Sequence, residues 1–375
     1  MIGGSWRPTA THELLLEATV GDPQGAPAAF ARWRQAQDVA AIDAGSLRLL
    51  PLLVPRAALF PADDPAWPVI RGCYRRAFFH GQMLRARAAE ATQLLAAAGI
   101  PVIALKGGAL LRYHDGNPAL RPMNDFDGWV PRGQASAAIR TLLANGWRSA
   151  LPLPELLPEV YHSACFTSHD GLDFDLHWHL VPSSNDPAAE DNARAAAIPC
   201  DLHRVAIHAL SAEDLLTVVC AHAAQWSPVA PVRWVADSLA ILRCEGTHFD
   251  WPRVVKQAMR WHVVPHLVET LRYLRDRWSA AIPDAVFAQL ASAPVSAIDR
   301  RAYTVLGRIP DATSYLMRPW HRYRVRTQDV NTLAALPGFI GYLKITLGRA
   351  HARDVPMEIL ARFRRWRRDR AIGRR

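Results

Sequence analysis

Residues 100–130 read IPVIALKGGALLRYHDGNPALRPMNDFDGWV, and the rest of the chain is arranged around them. The pattern predicts a strand over Pro101–Leu105, a turn at Lys106-Gly107-Gly108, and a helix from about Ala109. After a loop, a second short strand carries Asp125 and Asp127. Glycine lets a backbone approach another group closely, and N–H groups at a helix start attract anions. Side chains two apart on a strand leave the same face, so Asp125 and Asp127 point together. Adjacent carboxylates repel unless a cation lies between them, and Mg²⁺ is the usual one where phosphates are handled. A phosphate cradle running into a carboxylate pair outlines a nucleotide-handling site.

Composition sets the frame for that site. The 375 residues are 50% hydrophobic and 21% charged, which is ordinary for a soluble globular chain of two or three modules. Lys and Arg total 44 against 34 acidic residues, a formal charge of +10 that suits anionic ligands, nucleic acid or a membrane surface. Cys73, Cys165, Cys200, Cys220 and Cys244 are scattered without metal-ligand spacing and read as buried free thiols in a reducing cytoplasm. No secretory pattern opens the chain, and no apolar run is long enough to span a bilayer. The expectation is a cytoplasmic protein.

Three regions follow along the chain. Residues 1–99 read as helical, ending in a long helix over residues 70–98 that Gly99 stops; its arginines read as a solvated face. Residues 100–182 form the α/β core. There SAAIRTLLANGW is a helix, and Ser163–His169 with Leu172–Leu180 is a hairpin about Asp170-Gly171. In its second strand Asp173, Asp175, His177 and His179 share one face. Residues 183–375 read as a connecting loop to Ala197, then helices, then a basic run from Arg362. That run offers a nucleic-acid or acidic-lipid contact, although a frayed, solvated helix end is commoner.

The order strand, Gly-Gly, helix, Asp-x-Asp resembles the DNA polymerase β-like nucleotidyltransferase superfamily. LKGGALL, RPMNDFDGWV and DLHW (Asp175–Trp178) resemble, more narrowly, a large bacterial family of uncharacterised nucleotidyltransferases. The resemblance covers roughly the first three quarters of the chain, and the motifs are specific only as a set. It implies an α+β fold, a small mixed β-sheet core of polymerase β type flanked by N-terminal and C-terminal helical regions. It implies transfer of a nucleoside monophosphate from a nucleoside triphosphate to an acceptor (sugar-phosphate, peptide natural product, protein or RNA), with Mg²⁺ or Mn²⁺ and release of pyrophosphate. Asp125 and Asp127 are then metal ligands. The family pattern makes Asp175 the third, with Asp173 as fallback.

Other residues divide between roles. Lys106, with Gly107 and Gly108, is expected at the phosphates. Arg121 either grips a phosphate or anchors its loop by pairing with Asp125 or Asp115. His177 lines the site; HxH supplies only two zinc ligands, so a zinc centre is not expected. His222, Arg233 and Asp237, on two adjacent helices, either contact base or acceptor or form a buried polar clasp. GxSxG and GxGxxG are absent, which argues against a serine hydrolase and a dinucleotide fold. Two other readings remain: a catalytically inactive scaffold of the same fold, and a toxin-like enzyme adding nucleotides to transfer RNA.

Overall fold

A single helix of 31 residues, Trp67–Ala97, carries the N-terminal third of the chain into the core. Pro68 sits in its first turn, where a missing N–H costs nothing. It ends at Gly99, whose φ of +73° lets the Ile100 N–H return to the Leu95 carbonyl. Arg71, Arg75 and Arg76 are exposed on it, whereas Arg85 and Arg87 are half-buried, Arg87 pairing with Glu90 and Asp170. The computed structural model describes residues 6–151, 156–184, 186–227, 229–349 and 351–371.

Among the described residues seven strands form one mixed sheet: β1 (Ile103–Ala104), β2 (Asp125–Trp129), β3 (Arg148–Ser149), β4 (Ser163–Thr167), β5 (Asp173–His177), β6 (Ile198–Leu202) and β7 (Val205–Ala209). The spatial order is β3-β4-β5-β2-β1-β7-β6. β2 runs parallel to β5 and β1 parallel to β7, while the other neighbours are antiparallel. With helices on both sides, the expected α+β class is what the chain adopts.

Alternation in DFDGW and DFDLH gives the two central strands a dry face and a polar one. On the dry face Phe126 and Phe174 stack with centroids 5.8 Å apart, and Trp147 meets Phe174 edge-on. The helices Trp67–Ala97 and Ala135–Ala144 cover that face. A Cβ at Gly128 would fall 2.5 Å from Phe174 Cζ, so only glycine fits beside the ring.

Local details differ from the sequence reading. The first strand keeps only Ile103 and Ala104, and the helix begins at Lys106, so the glycine pair lies inside its first turn. The segment expected as a loop to Ala197 holds the helix Pro187–Ala195, started by Asp186 accepting from the Ala189 N–H. The sheet also continues past residue 182, since β6 and β7 form a hairpin inside the region read as helical. The basic run lies on the helix Val355–Ala371; its last residues, 372–375, are outside the described ones.

Candidate active site

The parallel register of β2 and β5 assembles the site. It sets Asp125 beside Asp173, Asp127 beside Asp175 and Trp129 beside His177, all on the polar face. His177 reaches back between the two acids, with Nε2 2.9 Å from Asp175 Oδ2 and 3.1 Å from Asp127 Oδ1. The Lys106 ammonium donates to the same Asp127 oxygen at 2.7 Å. Asp175, not Asp173, is therefore the acid next to Asp127; Asp173 instead accepts from the Thr167 hydroxyl at 2.7 Å.

Lys106 holds its backbone at φ +32°, a left-handed value that costs free energy in a non-glycine residue. Gly107 and Gly108 are buried. A Cβ at Gly107 would fall 2.5 Å from Met123 Sδ and 3.1 Å from Arg121 Nη1, and one at Gly108 2.5 Å from Phe126 Cε2. The pair is thus required for close packing of this turn on β2, a reason separate from phosphate approach.

Charge in the cluster is tightly balanced. Burial pushes the Asp127 carboxyl up, but Lys106 and then His177 outweigh it and hold it well below the usual carboxylate range. Asp175 is also lowered, burial being overcome by His177. Burial would neutralise His177, yet Asp175 and Asp127 raise its pKa to about 9, so the ring is an imidazolium at neutral pH. Lys106 is raised too, since Asp127, Asp175 and Asp125 together overcome its loss of hydration. Asp125 stands exposed at the mouth of the site with protein packed behind it. That lost hydration, then the charges of Asp127 and Asp175, push it up to about 6 against the pull of Lys106. Three acids against two cations leave the cluster short of positive charge.

One oxygen or nitrogen each from Asp127, Asp175 and His177 lies within 4.8 Å of the others, a group able to hold a metal ion. The donor chemistry fits a hard divalent cation through the acids. Asp127 Oδ2, Asp175 Oδ1 and both Asp125 oxygens carry no hydrogen bond among the described residues. His177 fits a ligand role less well. A metal-bound imidazole normally donates its other N–H, whereas His177 Nδ1 is buried without a partner among the described residues.

The remaining expected residues separate into two places. His222 lines a narrow cleft with Lys106, His162, His177, Val218 and Gln225. Burial and then the Lys106 charge lower its pKa to about 4, keeping it neutral. His162 stacks edge-on against His177 at 5.5 Å and is held neutral in the same way, by burial and then by the charged ring. Arg233 and Asp237 lie elsewhere, in a buried clasp. Asp237 accepts from Arg121 Nη2 at 3.0 Å, with Arg233 Nε and His114 Nε2 each 3.5 Å away. Arg121 is thus anchored by Asp237 rather than by Asp125 or Asp115. Arg233 donates to the Arg48 carbonyl at 2.6 Å and to the Leu120 carbonyl. Burial lowers the Arg233 pKa to about 9.

Arg48 was not singled out by the sequence. It is half-buried, Arg121 and Asp125 are its electrostatic neighbours, and its guanidinium has no acceptor among the described residues. Cys165, registered beside Asp175 on β4, was also missed. Cys165 and Cys244 are exposed, and of the five cysteines only Cys220 is buried, against expectation. The protein packed behind the Cys165 thiol, and then Asp173, push it up to about 12, so it stays protonated.

Comparison with protein families matches residues 44–279 to the model described as "Uncharacterised nucleotidyltransferase". The chain belongs to that nucleotidyltransferase family. The match contains Arg48, Lys106, Arg121, the acid cluster, His222 and the Arg233–Asp237 clasp, and ends before residue 280. Among solved structures, an antigenic nucleotidyltransferase-like protein from Paracoccidioides brasiliensis aligns at TM-score 0.37 and 14% identity. The alignment spans 55% of this chain and 96% of that one. No curated protein matches. Among the described residues, no helix is long and apolar enough to cross a membrane.

Proposed function

We propose that this nucleotidyltransferase-family chain moves a nucleoside monophosphate from a nucleoside triphosphate to an acceptor, with Mg²⁺ or Mn²⁺ held by Asp125, Asp127 and Asp175. The observation that carries the reading is the register setting Asp127 beside Asp175, with unshared carboxylate oxygens next to the exposed Asp125. The bound cation would neutralise charge on the α-phosphate. The acceptor's oxygen or nitrogen attacks the α-phosphorus, and the bond to the bridging oxygen breaks with its electron pair leaving on pyrophosphate. Asp175 orients that nucleophile through its unshared Oδ1 and passes the proton to solvent. Lys106 releases Asp127 to meet the phosphates as a compact charge. Arg48, which flanks Asp125 electrostatically and has no acceptor of its own among the described residues, holds the triphosphate tail, while Arg121 stays in the clasp with Asp237. Five free thiols support a cytoplasmic setting.

Calorimetry with Mg²⁺ and each of the four ribonucleoside triphosphates tests the reading. Heat is expected with at least one of them, and only when metal is present. A second reading has its own observation: His177 and Lys106 already neutralise Asp127 and Asp175 without a metal, as a non-catalytic scaffold of this fold would. Pyrophosphate release in a cell extract supplying acceptors separates the two, because the scaffold releases none.

A further inference from the structure

The net positive charge of this protein sits entirely in its last fifth. Residues 297–375 hold 18 Lys and Arg against 6 Asp and Glu, whereas residues 1–296 hold 26 against 28. This segment lies wholly outside the family match. It folds as the helices Ala297–Leu306, Ala312–Arg326, Ala335–Leu347 and Val355–Ala371.

The same segment is unusually greasy outside. Among the described residues, sixteen large hydrophobic side chains are exposed, and nine of them lie between Ile309 and Leu360. Leu333 is 78% exposed, Leu336 47% and Ile340 48%; the last two are four apart and share a helix face, with Leu333 one turn earlier. On the Val355–Ala371 helix Met357 is 77% exposed and Leu360 47%, and exposed arginines follow from Arg362 to Arg368. Tyr315 pins that helix by stacking on Trp366 and touching Phe363 at a tilt, which leaves the opposite side outward.

Exposed aliphatic side chains and arginines share one helix, Val355–Ala371, and a second apolar patch at Leu333, Leu336 and Ile340 lies in the same segment. Together they match an anionic lipid surface, whose headgroups take the cations and whose acyl boundary takes the apolar tips. We propose that the helices over residues 312–371 dock this protein on an anionic membrane surface. Nucleic acid fits less well. Single strands bind by stacking on open aromatic faces, and here Tyr315, Trp320, Tyr323, Phe339 and Tyr342 are occupied by one another or by the last helix. A second copy of the chain fits poorly too, because two such basic segments repel. The helix Ala335–Leu347 packs on the helix Leu157–Val160, just before β4, so docking brings the catalytic cleft close to lipid.

Co-sedimentation of the full chain with vesicles tests this without measuring turnover, so it is judged apart from the transferase reading. Recovery with phosphatidylcholine–phosphatidylglycerol vesicles is expected about fivefold or more above that with phosphatidylcholine alone. Added salt should reduce binding without abolishing it, since apolar insertion is not screened. The variant Leu333→Ser/Leu336→Ser/Ile340→Ser keeps the charge and should fall to within about twofold of the neutral-vesicle level. Should that variant fail to fold, Arg364→Gln/Arg367→Gln/Arg368→Gln must lower recovery on anionic vesicles in its place. Equal recovery on both vesicle types overturns the proposal. So does full binding by the serine variant, or a basic segment engaged by single-stranded RNA while vesicles are ignored.

Discussion

Asp127 and Asp175 lie side by side across a parallel strand pair, and one imidazole nitrogen, His177 Nε2, sits within 3.1 Å of both. Strand register sets the spacing of the acids and the His177 ring ties them together, so the site is as rigid as the sheet beneath it. Asp127 alone also carries Lys106, which makes it the joint of the cluster.

Asp127→Asn tests that joint. Losing this carboxylate should lower nucleotidyl transfer at least about a hundredfold, because it removes a proposed metal ligand and leaves Lys106 without its carboxylate, while His177 keeps Asp175. The circular dichroism spectrum should stay native while the thermal midpoint falls. Undiminished transfer of a labelled nucleotide would remove Asp127 from the metal site.

Gly107→Ala and Gly108→Ala should differ. The new methyl at residue 108 meets the ring of Phe126, locked in the sheet's dry face, whereas at residue 107 it meets the flexible end of Met123. Overpacking of the first kind costs about 1–3 kcal/mol. Urea unfolding should place Gly108→Ala well below Gly107→Ala, and equal midpoints would contradict the packing role.

Arg48 and Arg233 are joined through one hydrogen bond yet should fail in different ways. Arg48→Ala removes a half-buried guanidinium whose charge is felt at Asp125. It should raise the KM for nucleoside triphosphate about tenfold with kcat within about threefold. Arg233→Ala breaks a buried clasp and should cost about 3 kcal/mol of stability by urea unfolding. A Tm loss for Arg48→Ala as large as that for Arg233→Ala would make both purely structural.

His262 gives a pH test away from the acids. Its Nδ1 lies 3.2 Å from Asp299 at the start of the basic segment, and Asp299 first, with Asp329 and Asp186, raises its pKa against burial. A raised histidine stabilises fully below its unfolded value of about 6.5, and that share is lost as pH climbs through the folded value. Amide protection in residues 297–330, taken relative to the intrinsic base-catalysed exchange rate, should therefore fall from pH 6 toward 8, and His262→Gln should flatten the fall. An unchanged profile in that variant would clear His262.

Much of this was readable in the sequence, because alternation is a local signal. DFDGW and DFDLH show their dry and polar faces directly, and Asp170-Gly171 announces its hairpin. The hairpin of β6 and β7 stayed hidden for a physical reason. Its turn places His203 and Arg204 at φ of +50° and +70°, positions that glycine or asparagine usually marks. Long-range partners were equally invisible: Arg121 meets Asp237 from 116 positions away, and Arg48 sits in a leucine-rich run that reads only as core. The wedge of His177 between the acids depends on a parallel pairing that alternation cannot choose.

The grip of Arg233 on the carbonyls of Arg48 and Leu120 bears on how this molecule may be trimmed. An excised piece beginning at residue 100 would keep every acid yet strand that guanidinium inside with half its acceptors gone. The smallest working fragment must begin upstream of Arg48, which is also where shared ancestry with its relatives starts to register, at residue 44.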